Sequence, residues 1–569
     1  MGSKILILLA ISTLIATVQS KKNIEPKCHP NDLKGLSDFK TGIQSDTSGR
    51  LATWHGHACC QWAGITCDGT TGRVTQLNLP GFYTNNNYTP LQTYMIGQLS
   101  PSITLLTSLE AVDLSGLVGL TGIIPPSIGF HLPNIKKLSL WGNSFEGTLP
   151  DSIGLGNSLK MLDLHSNRLS GFLPEAISDL TSLEKLCLQN NFLVGHIPGN
   201  IGNLQRLKEL DLSNNSLSGK IPSSLNKLKA VSIKRVSLAN NGLIGPIPSN
   251  IGNLSDLTEL YLNDNKLSGQ IPSSIGQLSN LLMLRIANNM IEGPLPRQLA
   301  LLQNLQTLDL SYNRINLRSI PDWLVKLPSL SRILLAGCAI DGDISDDLAR
   351  TPSPIQELDL SSNNLTGKIP GWIGGLNNLY SLNLSKNMLV GEMPSSIVNL
   401  ASLRILDLHS NKLSGSLKWG FRVESGLLRF IDLSDNSFTT GIEEIGMGLE
   451  IGIEYINFSN NLIRGGLPDS IGRLGLMKGL DLSCNKLDFE LPASLGNAIW
   501  LESLKLQKNQ FGGKIPNGFL NFKNLKELDL SDNILEGKIP FGKPLIDFPR
   551  GCYLGNKGLC GTPLEPCEP

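Results

Sequence analysis

A single pattern of apolar and polar positions repeats along most of the chain. Residues 159–167, 207–215 and 525–533 all follow the frame L-x-x-L-x-L-x-x-N. The last position of the frame recurs every 24 to 26 residues between residues 143 and 533, and it is Asn in every copy but one, where Cys338 replaces it. Apolar residues that alternate with variable ones over a few positions predict one short strand in each repeat.

One strand with a short return cannot bury its own leucines, so neighbouring repeats must stack into a continuous core. In residues 159–167, Leu162 and Leu164 are predicted to point inward, whereas Asp163 and His165 face outward. The recurrent Asn predicts a ladder of buried amides that satisfy backbone groups. A thiol is a weak donor, so Cys338 predicts either a local defect or a compensating neighbour.

A second motif, L-x-G-x-I-P, follows each Asn, as in residues 217–222 and 267–272. Together the two motifs resemble the plant extracellular leucine-rich repeat. The resemblance implies an α/β-type solenoid, a right-handed leucine-rich-repeat superhelix of about nineteen plant-type repeats in residues 74–540, with a parallel sheet on its concave side. It also implies a second, short strand at each L-x-G-x-I-P motif. That second sheet is predicted to weaken where the motif departs from the pattern, at 315–321, 340–345, 413–418 and 438–443.

The chain start has the features of a secretory signal in residues 1–20. Lys4 supplies a positive charge, residues 5–16 are an apolar run, and Val18-x-Ser20 resembles a cleavage site. This run is too short to span a membrane, and no other stretch approaches the ~20 apolar residues a span needs. The sequence therefore predicts a secreted protein without a membrane span, in the extracellular space or cell wall.

Both ends of the repeat region carry cysteines. Residues 21–73 resemble the N-terminal cap of the plant repeat family, and residues 541–569 resemble its C-terminal cap. Spacing alone leaves three pairings open for the four N-terminal cysteines. The resemblance implies the disulfides Cys28–Cys59, Cys60–Cys67 and Cys560–Cys567. The remaining cysteines, Cys187, Cys338, Cys484 and Cys552, are predicted to be free thiols, with Cys552 alternatively available to a partner.

Residues 79–108 break the repeat, and within them residues 80–94 are predicted to be an inserted loop. A tolerated surface loop and a binding insertion are both open interpretations. Six glycosylation sequons are predicted, at Asn87, Asn214, Asn253, Asn364, Asn383 and Asn457.

Composition excludes several classes of function. Lys and Arg together number 48 and so do Asp and Glu, so no net charge favours nucleic acid or an anionic membrane. No nucleophile, metal-ligand, phosphate-loop or kinase motif is present, and the many aspartates share one repeat position as a polar facing. The sequence predicts a non-enzymatic protein without cofactor or metal.

The outward positions of the strands depart from the usual Asp and Ser in the first half of the repeats. Aromatic residues and arginines on a rigid face are the types that anchor interfaces. The predicted ligand-binding residues are Trp141, His165, Lys185, Arg235, Tyr261, Arg285, Tyr312 and Arg332. At ~4.8 Å per strand these positions would span ~38 Å, enough for ~11 extended peptide residues. A second, smaller group is Ile405, Phe430 and Tyr455.

Two classes of function fit these features. The first is an extracellular recognition protein that binds a protein or peptide, with a receptor kinase as one potential partner, as the plant receptor-like proteins that this chain resembles do. The second is an inhibitor of a cell-wall hydrolase, which the resemblance to polygalacturonase-inhibiting proteins implies, although those proteins have fewer repeats. A structural wall protein is a third alternative.

Overall fold

The computed structural model describes residues 28–84, 90–228, 233–352, 354–419, 426–448 and 452–567. The predicted signal at residues 1–20 and the sequon at Asn87 lie outside these residues. The chain forms two compact units that divide between Leu217 and Ser218, called here the N-terminal unit and the C-terminal unit.

The N-terminal unit opens with a disulfide-linked cap. The disulfides Cys28–Cys59 and Cys60–Cys67 join its segments, and the helix Pro30–Gly42 buries Leu36 and Phe39. Asp32 on this helix is fully buried and accepts hydrogen bonds from the Arg73 guanidinium, at 2.9 Å, and from the Val74 N–H, at 2.8 Å. These bonds attach the helix to the first parallel strand.

A long sheet continues from the cap through the N-terminal unit. Its first two strands pair antiparallel and the rest pair parallel, each strand in register with the one a repeat later. Its strands are Ile65–Cys67, Val74–Asn78, Ala111–Asp113, Lys137–Ser139, Met161–Asp163, Lys185–Cys187 and Glu209–Asp211.

The C-terminal unit contains a long parallel sheet of the same kind. Its strands are Arg235–Ser237, Glu259–Tyr261, Met283–Arg285, Thr307–Asp309, Arg332–Leu334, Glu357–Asp359, Ser381–Asn383, Ile405–Asp407, Phe430–Asp432, Tyr455–Asn457, Gly479–Asp481, Ser503–Lys505 and Glu527–Asp529. Each of these strands has three residues, with the middle one buried and the first and third on the outward face of the sheet. The fold is the predicted leucine-rich-repeat solenoid with a parallel sheet.

Most chain returns are single 3-10 turns, because the return of each repeat is too short for a full α-helix; a short α-helix, Ile128–His131, stands in one return. The 3-10 turns of the N-terminal unit are Arg50–Thr53, Cys59–Gln61, Pro101–Leu105, Asp151–Leu155, Glu175–Asp179 and Ile201–Asn203. Those of the C-terminal unit are Ser223–Lys227, Ile251–Asn253, Ser273–Gln277, Arg297–Leu301, Leu324–Lys326, Asp346–Arg350, Gly371–Gly375, Ser395–Asn399, Ile442–Glu444, Asp469–Arg473, Ala493–Asn497, Asn517–Asn521, Leu545–Asp547 and Arg550–Tyr553.

The L-x-G-x-I-P motifs form second sheets. In the N-terminal unit the strands are Ile43–Asp46, Met95–Gln98, Val118–Ile123, Ser144–Gly147, Arg168–Phe172 and Phe192–His196. The strand Ser216–Lys220 contains the division between the two units. In the C-terminal unit the strands are Gly242–Gly245, Lys266–Gln270 and Met290–Glu292, followed by Asp341–Gly342 with Asn364–Leu365, Val390–Glu392 with Lys412–Ser416 and Ser437–Thr440, Arg464–Gly465 with Lys486–Leu487, and Glu536–Lys538 with Gly558–Cys560. The third disulfide, Cys560–Cys567, lies at the end of the last pair.

The second sheet is weak or interrupted at the predicted points. Residues 315–321 form only an isolated bridge, from Arg318 to Ile340, and residues 340–345 only a two-residue strand. Lys412–Ser416 and Ser437–Thr440 still pair with each other, but with a register shift after Gly415, and this sheet ends at Ser437–Thr440. The glycine of the motif is in place at Gly415 but is displaced by one residue at Gly441, which fits the shift in register.

The inserted segment also differs from a plain loop. Phe82–Thr84 and Pro90–Gln92 pair as an antiparallel hairpin. Met95–Gln98 then pairs with Ile43–Asp46 of the cap on one side and with Val118–Ile123 on the other. The insertion is thus attached to the cap and to the second sheet of the N-terminal unit.

The ladder asparagines, the recurrent Asn of each repeat, have the predicted buried role. Asn167 is typical: its Nδ2 donates to the carbonyl oxygens of Leu140 and Leu164, each at 3.0 Å, and its Oδ1 accepts from the Phe145 N–H at 3.0 Å. Each such amide therefore bonds backbone groups in its own repeat and in the preceding one. A buried amide with all its groups paired stabilises the stack and sets its spacing.

Cys338 interrupts this ladder and is the local defect that the sequence predicts as one alternative, because a thiol cannot accept a backbone N–H as an amide oxygen does. Its Sγ contacts the carbonyl oxygens of Leu310 and Ala336 at 3.5 and 3.6 Å. The next ladder residue, Asn363, accepts from both the Cys338 N–H and the Ile340 N–H, each at 3.0 Å. Burial raises the pKa of the Cys338 thiol to about 12, so it stays a neutral, weak donor.

Candidate functional site

The aspartates of the outward face act as turn caps. Asp359 Oδ1 accepts from the Ser361 N–H at 2.9 Å, and Asp432 and Asp529 bond Ser434 and Ser531 in the same way. This arrangement satisfies the backbone where the chain leaves the strand. Their role is structural, which leaves the departures from Asp and Ser as the informative residues.

In the N-terminal unit, Trp141 and His165 stack with ring centroids 4.9 Å apart. The His165 Nδ1 lies 2.6 Å from Asp163 Oδ1, which fixes the imidazole orientation. Phe82 of the insertion stacks on the other side of Trp141 at 6.0 Å and is 51 % exposed. The structure therefore adds Phe82 to the predicted pair, and the repeat pattern carries no signal for it because the insertion lies outside the repeat.

Gly116 permits this stack. Its φ is 66°, and a Cβ there would lie 2.8 Å from the Phe82 ring and 3.3 Å from Trp141. Any side chain at this position would displace one of the two rings. The stack of Phe82, Trp141 and His165 therefore depends on a glycine that the repeat motif does not predict.

Lys185, the third predicted residue of the N-terminal unit, lies 3.1 Å from Glu209 on the next strand. Its neighbour Cys187 is buried, and burial raises the pKa of the Cys187 thiol far above its ordinary range. Lys185 therefore contributes a paired charge beside an unreactive thiol.

In the C-terminal unit, Arg235 and Tyr261 form a fixed pair. The guanidinium lies over the Tyr261 ring at 5.1 Å and 3.0 Å from Glu259. The Tyr261 hydroxyl lies 3.0 Å from the Met283 sulfur. Cation–π contact and ion pairing hold both side chains in one arrangement before any ligand binds.

Arg285 lies between Tyr261 and Asp309 in the register of the sheet. Its Nε is buried and has no hydrogen-bond acceptor within the described part of the chain. Burial raises the pKa of Asp309, while hydrogen bonds from Ser311 and the charge of Arg285 oppose that rise. A buried donor without an acceptor is costly in a folded protein.

Tyr312 has an unfavourable backbone conformation. Its φ is 52°, the left-handed region, where the equivalent residues of other repeats are mainly Asn, Asp, Ser or Gly. The side chain is 49 % exposed, its ring lies over Gly337, and its hydroxyl is 3.4 Å from Ser362 Oγ. Gly337 leaves room for the ring, since a Cβ there would be 2.8 Å from it.

Arg332 completes the group in the C-terminal unit. Its guanidinium lies 3.9 Å from Glu357 and 5.9 Å from the Tyr380 ring, whose hydroxyl donates to Glu357 at 2.7 Å. A cavity of about 330 Å³ adjoins it, lined by Met283, Gln306, Thr307, Ser329, Ser331, Pro354 and Gln356. Glu357 and Tyr380 were missed from the sequence, because their repeat positions look like ordinary polar facing.

A third cluster of polar groups lies farther along the C-terminal unit. Ligand-type atoms of Asp407, His409 and Asp432 lie within 4.8 Å of one another. Hydrogen bonds from Ser434 and Asn457 already engage both Asp432 oxygens, and His409 Nδ1 lies 2.6 Å from Asp407. These bonds explain the cluster as outward-face hydrogen bonding.

The described sequons fall on two kinds of surface. Asn214, Asn253 and Asn364 are exposed, whereas Asn383 and Asn457 are half-buried in strands of the long sheet. Among the free cysteines, Cys187 and Cys338 are buried and Cys484 and Cys552 are half-buried. Within the described residues, every helix is too short or too polar to cross a membrane.

Family models match along the chain. The leucine rich repeat model matches residues 133–193, 343–389 and 353–413, and a second model of the same repeat matches six segments between 206 and 542. The leucine rich repeat N-terminal domain model matches residues 29–68, which include the first helix and both N-terminal disulfides.

Curated relatives and solved structures point to the same repeat family as these models. The chain is 35 % identical to the receptor-like protein EIX2 of Solanum lycopersicum over 22 % of this chain and 12 % of that protein. It spans only 12 to 32 % of the length of the first curated relatives that it matches.

Two ectodomain structures from Arabidopsis thaliana are similar over most of the chain. The ectodomain of the receptor kinase GASSHO1/SCHENGEN3, in complex with CASPARIAN STRIP INTEGRITY FACTOR 2, has a TM-score of 0.76 and 32 % identity, over 90 % of this chain and 62 % of that one. The HAESA ectodomain, in complex with an IDA peptide hormone, has a TM-score of 0.66 and 30 % identity, over 93 % and 98 %. On its repeats, its cap and these neighbours, the chain belongs to the family of plant extracellular leucine-rich-repeat proteins.

Proposed function

We propose that the protein is a non-enzymatic extracellular recognition protein that binds a peptide or protein on the outward faces of its long sheets, in plant defence or development. The ligand-contacting residues are Trp141, His165 and Lys185 in the N-terminal unit, and Arg235, Tyr261, Arg285, Tyr312 and Arg332 in the C-terminal unit. Both similar ectodomains were solved with a peptide or factor bound, which supports this class of ligand.

The observation that carries the proposal is the strained Tyr312. A bulky residue in the left-handed region costs of order 1 kcal/mol or more, and such strain concentrates at functional sites. The strain positions an exposed ring beside Ala336 and Gly337, where small residues leave the surface open. A ligand that packs on this ring would recover the energy that the backbone loses.

The neighbouring side chains add polar recognition to this ring. Arg235 and Arg332 are held by glutamates and tyrosine rings, so they are already positioned to bind. Arg285 is half-buried, and its guanidinium carries donors besides the buried Nε that suit a ligand carbonyl or carboxylate. Anchors that are rigid before binding lose less entropy on association, which favours affinity.

The variant Tyr312→Asn tests the effect of the ring on ligand affinity separately from its effect on folding stability. Asn suits the left-handed backbone, so this variant should be more stable than the wild type by about 1 kcal/mol. It should nevertheless bind the ligand about 10-fold more weakly, because the ring contact is lost. Lys386→Asn is the matched control: Lys386 has φ 54° at the same repeat position, so the change should raise stability and leave affinity unchanged.

The ligand is obtained by capture from plant secretions on immobilised protein and identified by mass spectrometry, and affinities follow from calorimetry. A parallel assay of fungal polygalacturonase tests the inhibitor alternative directly. Wild-type affinity in both Tyr312→Asn and a Tyr261→Ala, Arg285→Ala double variant would contradict the proposed site. Inhibition of the polygalacturonase would replace the peptide-binding function by that of a hydrolase inhibitor.

A further inference from the structure

A second part of the outward face in the C-terminal unit carries a strip of apolar side chains. Ile405, Phe430 and Tyr455 are the first residues of three neighbouring strands and are in register with one another. Ile405 and Tyr455 are 39 % and 44 % exposed. The earlier strands of the same unit hold mainly polar or charged residues at this position, such as Glu259 and Glu357, with Met283 as an apolar exception, so three apolar residues in succession are a departure.

Tyr455 is held in a defined position on this strip. Its partner on the next strand is Gly479, and a Cβ at Gly479 would lie 2.8 Å from the Tyr455 ring. The ring therefore lies across a strand that has no side chain at this point. An exposed ring with a fixed position is a preorganised contact surface.

The strip has charged flanks of opposite sign. On one side lie Asp407 and Asp432, which no lysine or arginine of the described residues pairs with; Asp407 Oδ1 accepts from the His409 N–H at 3.2 Å and lies 2.6 Å from the His409 imidazole. The pKa of Asp359 reflects this negative charge. Burial raises that pKa most, and the charge of Asp407 raises it as well. A partner with basic groups on this side would complement it.

The other flank is basic and partly neutralised. Arg404 is exposed, whereas Arg429 and Lys478 share Glu454 at 3.9 and 2.6 Å. The apolar strip thus runs between an acidic edge and a basic edge, and all of it belongs to the C-terminal unit.

The distance between the three apolar side chains indicates which kind of partner fits them. Strands lie ~4.8 Å apart, so the three apolar residues repeat at that interval across the sheet. Successive turns of an α-helix advance ~5.4 Å, whereas side chains on one side of an extended peptide repeat at ~6.8 Å. The helix interval is the closer match.

We propose that this strip binds an amphipathic α-helix of a partner protein, lying across the strands. Its apolar residues at i, i+4 and i+7 pack on Ile405, Phe430 and Tyr455, and its basic flank faces Asp407 and Asp432. The strip shares no residue with the ligand site around Tyr312, so the two proposals can fail separately.

The test uses a synthetic helical peptide of about 18 residues, rich in alanine, with a leucine stripe at this spacing, lysines on one flank and glutamates on the other. A scrambled peptide of the same composition lacks the stripe. Fluorescence anisotropy with the intact protein should show the striped peptide binding at least ~10-fold more tightly than the scrambled one.

Variants of the protein locate the binding. Phe430→Ala and Tyr455→Ala should each weaken binding about 10-fold. Gly479→Ala should weaken it as well, because the new Cβ displaces the Tyr455 ring without removing any contacting group. Asp407→Asn with Asp432→Asn should weaken binding about 3-fold and reduce its dependence on salt.

Tyr312→Asn is the control variant and should bind the striped peptide as the wild type does. Thermal unfolding confirms that each variant is folded. Unchanged affinity in Phe430→Ala and Tyr455→Ala, or equal binding of the scrambled peptide, would overturn the proposal. Equally tight binding of an alternating Leu-Lys peptide that forms strands would overturn the assignment to a helix.

Discussion

The ladder asparagines and the outward face belong to the same repeats but obey different constraints. The ladder is buried, and its side chains bond backbone groups of two successive repeats, as Asn167 does. Much of the outward face is exposed or half-buried, and its residues change from strand to strand. A buried position keeps the same residue type from repeat to repeat when only that side chain can satisfy the surrounding backbone groups. A solvated position tolerates many residue types.

This difference separates two kinds of irregularity. At Cys338 the ladder is broken, since a thiol offers no oxygen to accept a backbone N–H, while the next amide, Asn363, keeps its ordinary bond from Ile340 and accepts the Cys338 N–H as well. At Tyr312 the outward face is irregular, and the structure retains strain instead of relieving it. Lys386, Cys484 and Lys508 have the same left-handed backbone conformation, so Tyr312 is distinguished by the exposed ring that it carries at this position.

The largest expected effect on stability comes from removing Asn363, the ladder amide whose Oδ1 accepts two backbone N–H groups. Asn363→Ala removes an acceptor shared by two backbone N–H groups and a donor to the carbonyl oxygens of Leu335 and Leu360. Each buried group left unpaired costs ~1–3 kcal/mol, so the free energy of unfolding should fall by about 4 kcal/mol. Urea denaturation, with hydrogen exchange at Ile340, measures this loss.

Asn387→Ala is the matched control for that experiment. Asn387 has the same donor contacts, but its Oδ1 accepts from Leu365 alone. Its loss should cost about 1 kcal/mol less than the loss of Asn363. Equal losses would show that the double acceptor at Asn363 has no energetic role.

A smaller effect is expected from completing the ladder. Cys338→Asn supplies the amide that other repeats have, including an Oδ1 at the position where the next ladder residue normally accepts an N–H. We expect a gain of about 1 kcal/mol in the free energy of unfolding, and slower hydrogen exchange in residues 315–321. A destabilised variant would show that the surrounding backbone has adapted to the thiol.

The smallest effect concerns a turn cap of the outward face. Burial raises the pKa of Asp359, so the folded state binds its proton up to a higher pH than the unfolded state does. The charged carboxylate therefore destabilises the fold above this raised pKa, and the penalty disappears as pH falls below the unfolded value of ~3.9. Asp359→Asn keeps an acceptor for Ser361 and should be slightly more stable than the wild type at pH 7, by less than ~1 kcal/mol.

Thermal unfolding of Asp359→Asn and of the wild type between pH 7 and pH 3 tests whether the variant is the more stable protein at neutral pH. The two curves should converge on acidification. Asp529→Asn is a suitable comparison, since Asp529 caps its turn in the same way through Ser531. A gap that widens as pH falls would contradict the assigned sign.

Much of the fold follows from the sequence because the repeat pattern is local. The inward leucines, the ladder and the outward positions all depend on alternation along a three-residue strand and on one amide per repeat. At residues 413–418 and 438–443 the motif departs from its pattern, and the pairing of the second sheet is irregular there, as the sequence predicts. Gly415 and the buried Phe438 are enough to form the strands, and a register shift absorbs the displaced glycine.

The sequence alone determined the period, the buried frame, the two caps and the set of outward residues, since each depends on residue type at a fixed spacing. Only the tertiary structure decided which outward side chains meet: Phe82 on Trp141, Arg235 on Tyr261, and Tyr312 over Gly337. Those contacts join residues more than twenty positions apart through particular side-chain orientations. Packing between neighbouring strands selects these orientations, and no pattern within a single repeat encodes them.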